Sequence, residues 1–338
     1  MKISIFHYHQ QTQARGVETY IKELSSRLKK HQLKIHSHPQ PIIKSRSRLT
    51  LLQRLYLDRL SLNIALWTFS EIKSLKTFDP DIVICLNSGW QIVLLRFWTF
   101  IKRKKLIIPG QSGPGWDDRW NLFWHPDIFV CLTKPQFHWA KKATLWQNQK
   151  FAVIPNGVDL KKFNPKGSKI KLKLPKPIVL LVGAAEPNKR VEQGILAVSK
   201  LKNLSLLWIG TGPLEQKLEL LGKKLLGDHF LHLRIPYSKI PSYYRSADLF
   251  TLCSESSEAF GIVYLEALAS GLPVVATDDA SRHKILRDSA IYVKNPDNLT
   301  EYAEALKQAL RNKWGQKPVI QAQKFSWDTI ALEYEKLF

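Results

Sequence analysis

Acidic residues are scarce in this chain. Its 338 residues hold 28 Asp and Glu against 51 Lys and Arg, a net charge of +23. Cysteine is rarer still. Cys85, Cys131 and Cys253 lie far apart inside apolar, strand-like runs. No pair has metal-ligand spacing, and the three read as buried thiols of a reducing compartment. No apolar run is long enough to span a bilayer. The nearest, residues 90–101, contains Arg96 and is followed by Lys102-Arg103-Lys104-Lys105, so it reads as a buried helix with a solvated basic end. The opening MKISIFHYHQ has too short an apolar run for a signal peptide. Low-complexity segments and short-period repeats are absent.

A hydrophobic content of 44% supports real cores, and the length suits two domains of ordinary size. The positive charge is uneven: the first 165 residues carry net +16 and the rest +7. Such a balance attracts nucleic acid, acidic lipid or phosphorylated substrates, and no nucleic-acid motif accompanies it. Residues 42–70 are basic and then leucine-rich, with Arg46, Arg48, Arg54 and Arg59. Two readings stand for them: a helix laying an amphipathic face on a membrane, or an ordinary core-facing helix. His31, His36 and His38 lie in a polar stretch and are not read as a metal site.

The chain is organised around residues 254–279, SESSEAFGIVYLEALASGLPVVATDD. A polar run follows the apolar segment 249–253, Phe260-Gly261 makes a tight element, and a helix is expected from Ile262 to about Ser270. Gly271-Leu272-Pro273 stops it, and Val274-Val275-Ala276 reads as a buried strand. Loops at the carboxyl ends of strands in open α/β sheets are where ligands bind. Glu258 lies in this loop and Glu266 inside the helix among apolar neighbours, where a carboxylate is costly unless something holds it. A phosphate at Gly261 and Ile262 would meet the free N–H groups of a helix start, with hydroxyls accepted by Glu258 and Glu266. The plainer reading is a solvated loop residue and an exposed helix position.

The spacing Glu258 to Glu266, running on through EALASGLPVVATD, resembles the E-x7-E signature of retaining glycosyltransferases of family 4, which have the GT-B fold. In that family the first Glu contacts the donor sugar and the second the nucleotide ribose, roles that the resemblance carries to Glu258 and Glu266. The rest of the chain agrees in part. An initial strand at residues 3–6 leads through a loop to a helix from Val17, with Arg15-Gly16-Val17-Glu18 where the family usually shows G-G-x-E. Gly16 then implies a close approach of diphosphate or acceptor to the backbone. After the strand at 105–108, the glycine-rich run 110–115 lacks the family's usual His, and Gln111 or Ser112 stands as the substitute polar contact. Asp117-Asp118 reads as a helix N-terminal pair. Pro155-Asn156-Gly157-Val158-Asp159 is similar to the family's I-P-N-G-V-D element and closes the first domain.

The second domain opens with the strand 178–182 and Gly183. The family's G-R-x-x-x-x-K-G pattern becomes Gly183-Ala184 and Lys189-Arg190 here. Lys189 matches the lysine that neutralises the donor diphosphate, and Arg190 is expected to restore the charge that Ala184 lacks; cations there stabilise a leaving group that gains charge. Gly212 lies in a G-x-G-P turn, and Arg234 begins the segment whose backbone reads the nucleobase.

The resemblance therefore implies an α/β GT-B protein: two Rossmann-like domains facing across a cleft, residues 1–165 on the acceptor side and 166–326 holding the nucleotide sugar, with the helix 327–338 packing back on the first. It implies sugar transfer with retention from a nucleotide-diphosphate sugar, with Glu258 and Lys189 catalytic and Gly16, Gly183, Arg190, Gly212, Arg234, Phe260, Gly261, Ile262 and Glu266 on the donor. No cofactor or metal is expected. The acceptor would be a glycan or lipid-linked, with no nucleic-acid partner; the protein is expected in the cytoplasm, and its basic first half points to peripheral attachment at the inner face of an anionic membrane, with a soluble basic protein as the alternative. A sugar-nucleotide epimerase of the same fold and a non-catalytic sugar-nucleotide-binding protein remain as alternatives.

Overall fold

The computed structural model describes residues 1–8, 16–38, 51–256 and 258–338. It divides into two compact units, Met1–Asn156 with Trp327–Phe338, and Gly157–Ser326.

The first unit is a six-stranded parallel sheet in the order β2-β1-β3-β4-β5-β6. Its strands are β1 (Lys2–Phe6), β2 (Gln32–His36), β3 (Ile82–Cys85), β4 (Lys105–Pro109), β5 (Ile128–Cys131) and β6 (Phe151–Val153). β1 pairs with both β2 and β3, aligning Ile3 with Leu33 and Ile82. Strands covered on both faces read as near-continuous apolar runs, and the two-residue period sorts them. Ile3, Ile5, Ile82, Ile84 and Ile107 join one core, with Tyr20, Leu24, Trp327 and Tyr334. Phe6, Val83, Cys85, Leu106 and Phe129 join the other, with Trp67, Ile92 and Trp98. The helix Trp327–Glu335 belongs to this unit because Trp327 and Tyr334 pack edge-on against Tyr20. Arg27 Nε also donates to Asp328 over 2.6 Å, and Lys105 Nζ to the carbonyl of Leu337 over 2.8 Å.

The leucine-rich stretch is two helices, Leu51–Arg54 and Arg59–Phe78, separated at Tyr56, whose φ is +54°. Asp58 caps the second by accepting from Leu60 N and Ser61 N. That helix faces the core with Trp67, Thr68 and Leu75 and leaves Leu62, Leu66 and Phe69 exposed. Arg46 and Arg48 lie outside the described residues. The apolar helix Trp90–Lys102 ends at Lys102, and Lys105 already opens β4. No described helix is long and apolar enough to cross a membrane. Cys85, Cys131 and Cys253 are buried free thiols, which burial pushes up to about 12.

The second unit is also six-stranded and parallel, in the order β12-β11-β10-β7-β8-β9. Its strands are β7 (Ile178–Val182), β8 (Ser205–Ile209), β9 (Phe230–Leu233), β10 (Leu249–Leu252), β11 (Val274–Thr277) and β12 (Ala290–Val293). The chain leaves β7 toward one edge through β8 and β9, then returns to β10 on the other side of β7. The strand order thus reverses between β7 and β10, the point where such sheets take ligands. The unit begins before residue 165, the expected boundary: Val158 bridges Ser326, and Phe163 packs against Tyr237 and Tyr244.

Candidate functional site

Two loops leave the sheet at that reversal. After β7 the chain runs through Gly183 to a short turn, Pro187–Lys189; after β10 it runs through residues 253–261 to the helix Ile262–Ala269. The loops are tied by their backbones, since Glu255 N donates to Asn188 O over 2.8 Å. They are also tied by charge: Lys189 Nζ forms an ion pair with Glu258 in which both side chains are largely buried. The two residues expected to be catalytic therefore stand against each other. Ser257 lies outside the described residues.

The helix start is open. Gly261 sits at φ +79° with no side chain capping the first turn. A Cβ there would come within 2.5 Å of the Tyr264 ring, so the position takes glycine on both conformational and steric grounds. The uncapped N–H groups of Ile262 and its neighbours, with the positive end of the helix dipole, suit an anion. Phe260 anchors the turn, 3% exposed and ring to ring with Phe325.

Behind this loop lies a residue that the motif did not reveal. Arg282, on the helix Ala280–Leu286, is 3% exposed. Its guanidinium donates to Ser254 Oγ at 2.6 Å, to the Glu255 carbonyl at 3.1 Å and to Tyr264 Oη at 3.1 Å, and it pairs with Asp279. Thr277 Oγ1 donates to the Ser254 carbonyl at 2.7 Å. In the sequence, Ser281-Arg282-His283-Lys284 reads as a solvated basic run.

Glu266 is not the exposed helix position of the plainer reading. It is 2% exposed, and its two oxygens accept from Tyr237 Oη at 2.7 Å and Tyr244 Oη at 2.9 Å. Burial pushes its carboxyl up to about 7, against the lowering effect of the two phenols. The partners lie 29 and 22 residues away in sequence.

Other expected donor residues serve the frame of the site. A Cβ on Gly212 would meet the Ala185 backbone at 2.9 Å, and Ala185 N donates to Thr211 O, so the loops after β7 and β8 are zipped together. Gly183 donates its N–H to the Ile209 carbonyl. Arg234 is exposed and paired with Glu215. Arg190, in the left-handed region at φ +50°, reaches Asp297 at 3.7 Å. It lines a cleft of about 340 Å³ with Thr277, Asp278 and Lys294. The two adjacent cations thus face different carboxylates, Lys189 toward Glu258 and Arg190 toward Asp297.

In the first unit, Gly16 opens the helix Gly16–Ser25, while Arg15 lies outside the described residues. Glu18 of that helix is buried 3.0 Å from His7 Nε2 at the end of β1. Gln111 exchanges two 3.0 Å hydrogen bonds with Asn156, so its amide is engaged within the unit, whereas Ser112 is exposed. Asp117 and Asp118 lie in the first turn of the helix Trp116–Phe123. His31 and His36 pair with Glu335 and Glu71, and His38 stacks on Tyr8; no cluster able to hold a metal occurs among the described residues.

Residues 164–325, which include both loops and both glutamates, match the family "Glycosyl transferases group 1". The match is confined to the second unit. The chain is 28% identical over 259 residues to sulfoquinovosyl transferase SQD2 of Arabidopsis thaliana, covering 65% of this chain and 47% of that protein. The chain spans less than half the length of several curated relatives that it matches. Its fold matches sucrose-phosphate synthase from Thermosynechococcus elongatus with a TM-score of 0.81, at 20% identity, over 99% of this chain and 98% of that one. It also matches HepE of Anabaena, solved with UDP and glucose, with a TM-score of 0.76, at 16% identity, over 100% and 99%. The two parallel six-stranded sheets are those of the GT-B glycosyltransferases.

Proposed function

We propose that this chain is a retaining family 4 glycosyltransferase that moves a sugar from a nucleotide-diphosphate sugar to a glycan or lipid-linked acceptor. The observation that carries this reading is the ion pair of Lys189 and Glu258 beside an uncapped helix start, at the point where the strand order reverses. The pair holds two buried charges satisfied until a diphosphate offers Lys189 a more highly charged partner. Transfer breaks the bond between the anomeric carbon and the diphosphate oxygen, the electron pair leaving on the diphosphate, while the acceptor's hydroxyl oxygen bonds to that carbon and its proton passes to the departing diphosphate. Lys189 and the N–H groups at Ile262 oppose that charge where it develops. Glu258, released from Lys189, contacts the sugar, and Glu266 accepts the ribose hydroxyls. The chain's own cations supply the neutralisation, so no metal is required in this reading.

A panel of nucleotide sugars with release of free nucleoside diphosphate as readout, with and without EDTA, is the test. Release from at least one donor, undiminished by EDTA and lowered about 10²- to 10³-fold in Lys189→Ala, is expected. Epimerised donor without release would establish the epimerase instead, and binding without turnover a non-catalytic protein.

The acceptor side of the reading rests on the first unit. Leu66, Phe69, Phe97, Phe100 and Ile101 are all more than half exposed, and Lys102 and Arg103 follow directly. Exposed aromatic and aliphatic groups beside basic ones suit the interface of an anionic bilayer. This supports reversible attachment at the inner face of a membrane of the cytoplasm.

A further inference from the structure

We infer that Tyr237 is a latch on the nucleotide site: its hydroxyl holds the place on Glu266 that a ribose hydroxyl takes when donor binds. This rests on the nucleotide-sugar reading above. Glu266 is a buried carboxyl whose hydrogen-bond donors are two neutral phenols. The two are not equivalent. Tyr244 is 0% exposed, packed against Phe163 and Phe250, and its hydroxyl also reaches the Val263 carbonyl. It is a fixed wall of the seat. Tyr237 is half-buried on the short turn Tyr237–Lys239, directly after β9, with Pro236, Ser238 and Lys239 exposed around it. Its ring lies tilted against Phe163, with centroids 5.9 Å apart.

A buried carboxylate left without a donor is costly, so the empty site needs a substitute for the ligand, and Tyr237 supplies one. A ligand hydroxyl that reaches Oε1 of Glu266 must displace the 2.7 Å bond from Tyr237. The phenol then turns outward on a turn whose neighbours already face solvent. Two consequences follow. The latch lowers affinity for every ribonucleotide by the strength of the bond displaced, and it leaves ligands without ribose hydroxyls unaffected, since these do not compete for the seat. It also couples occupation of the seat to a movement of the turn after β9.

The experiment is calorimetry of wild type and Tyr237→Phe with UDP, GDP and ADP, each paired with its 2′,3′-dideoxy analogue. Phe keeps the ring and its packing on Phe163 and removes only the competing donor. The nucleotide that binds should bind the variant about three- to tenfold tighter, the range expected for one ordinary hydrogen bond, while its dideoxy analogue binds both proteins alike. Equal or weaker ribonucleotide binding by a folded variant overturns the latch and leaves the transferase reading standing. Equal binding of ribo- and dideoxynucleotide by wild type removes the diol seat on Glu266, and the latch with it. Failure of every nucleotide to bind either protein overturns both. A 3-fluorotyrosine placed at Tyr237 gives a second readout in the otherwise native chain. Its fluorine resonance should shift on adding the ribonucleotide and stay fixed with the dideoxy analogue, and an unmoved resonance with bound ribonucleotide overturns the latch.

Discussion

Both units are six-stranded parallel sheets of nearly equal size, with different strand orders, and their surfaces differ as well. Of the 22 large hydrophobic side chains exposed among the described residues, 18 belong to the first unit, and every exposed Phe and Trp is there. The second unit instead spends its special residues on polar ties between loops: Arg282 to Ser254 and Glu255, Glu255 to Asn188, Lys189 to Glu258. Isolated exposed apolar residues are ordinary, whereas groups of large ones mark places that meet something apolar. One unit ties its loops together in fixed geometry, and the other presents apolar and basic surface. The difference teaches that two parallel-sheet units of one chain can present different chemistry through their loops and outer helices.

The largest way to break the comparison is through Arg282. Arg282→Leu strips the partly buried Asp279 of its guanidinium partner and unties Ser254 and Glu255 from the helix Ala280–Leu286. Breaking a buried ion pair on one side costs about 3–5 kcal/mol, so thermal unfolding of the second unit should fall by roughly 10 °C. A shift of a degree or two would show that the loop holds itself.

Next in size is the pH dependence set by Glu266. Its folded carboxyl titrates at about 7, above the ordinary carboxyl value of 4.5. A raised value means that its contribution to stability is complete below about 4.5 and is lost as pH rises through about 7. The titratable groups that meet it are Tyr237 and Tyr244, and burial beside Glu266 raises the Tyr244 phenol well above its usual range. Glu266→Gln should flatten the profile, and denaturant midpoints at pH 5 and 8 should then differ less than in wild type by the equivalent of roughly 2 kcal/mol. Parallel profiles for the two proteins would sink the assignment.

The first unit is tested by vesicles. Replacing Phe97, Phe100 and Ile101 together with Ser removes three exposed apolar groups from the helix Trp90–Lys102 and leaves its basic end intact. Even partial burial of such groups contributes about 1 kcal/mol or more each. Sedimentation with anionic vesicles should weaken by more than tenfold, while nucleotide binding in the second unit stays as it was. Vesicle binding unchanged by the triple substitution, or absent from wild type at low salt, would break the comparison from this side.

How legible was this in the sequence? The sheets were, because strands covered on both faces are apolar throughout: Val83, Ile84 and Cys85, or Val274, Val275 and Ala276, have no other plain reading. The loop with Glu258, Gly261 and the following helix was legible because its spacing is local. The leucine-rich stretch was half legible. Its leucines fit both a core face and an exposed one, and the helix Arg59–Phe78 has both. What stayed hidden depends on long-range partners. Nothing near Glu266 points to phenols more than twenty residues upstream, and Arg282 sits in a basic run that composition assigns to solvent. Gln111 looked available because Asn156, which engages it, lies 45 residues away. Adjacency of Arg190 to Lys189 does not disclose its partner either: Arg190 sits in the left-handed region and lies beside Asp297.

That residue gives the smallest effect and the sharpest distinction between neighbours. If two cations flanked one diphosphate, losing either would cost a large factor in turnover. Arg190 instead lies 3.7 Å from Asp297, whose carboxylate also accepts from Gln193 Nε2 at 3.1 Å, and it shares a cleft with Glu255, Ser256, Thr277, Asp278 and Lys294. An ion pair of this length beside a half-exposed carboxylate contributes at most about 1 kcal/mol. Arg190→Ala should therefore reduce nucleoside diphosphate release by less than tenfold, against the 10²- to 10³-fold expected for Lys189→Ala. Asp297→Asn should have an effect of the same small size, and the double variant should add nothing beyond the larger single one, because both substitutions break one pair. A loss in Arg190→Ala as large as in Lys189→Ala would place the guanidinium on the ligand when donor is bound, and the division of labour between these adjacent cations would have to be withdrawn.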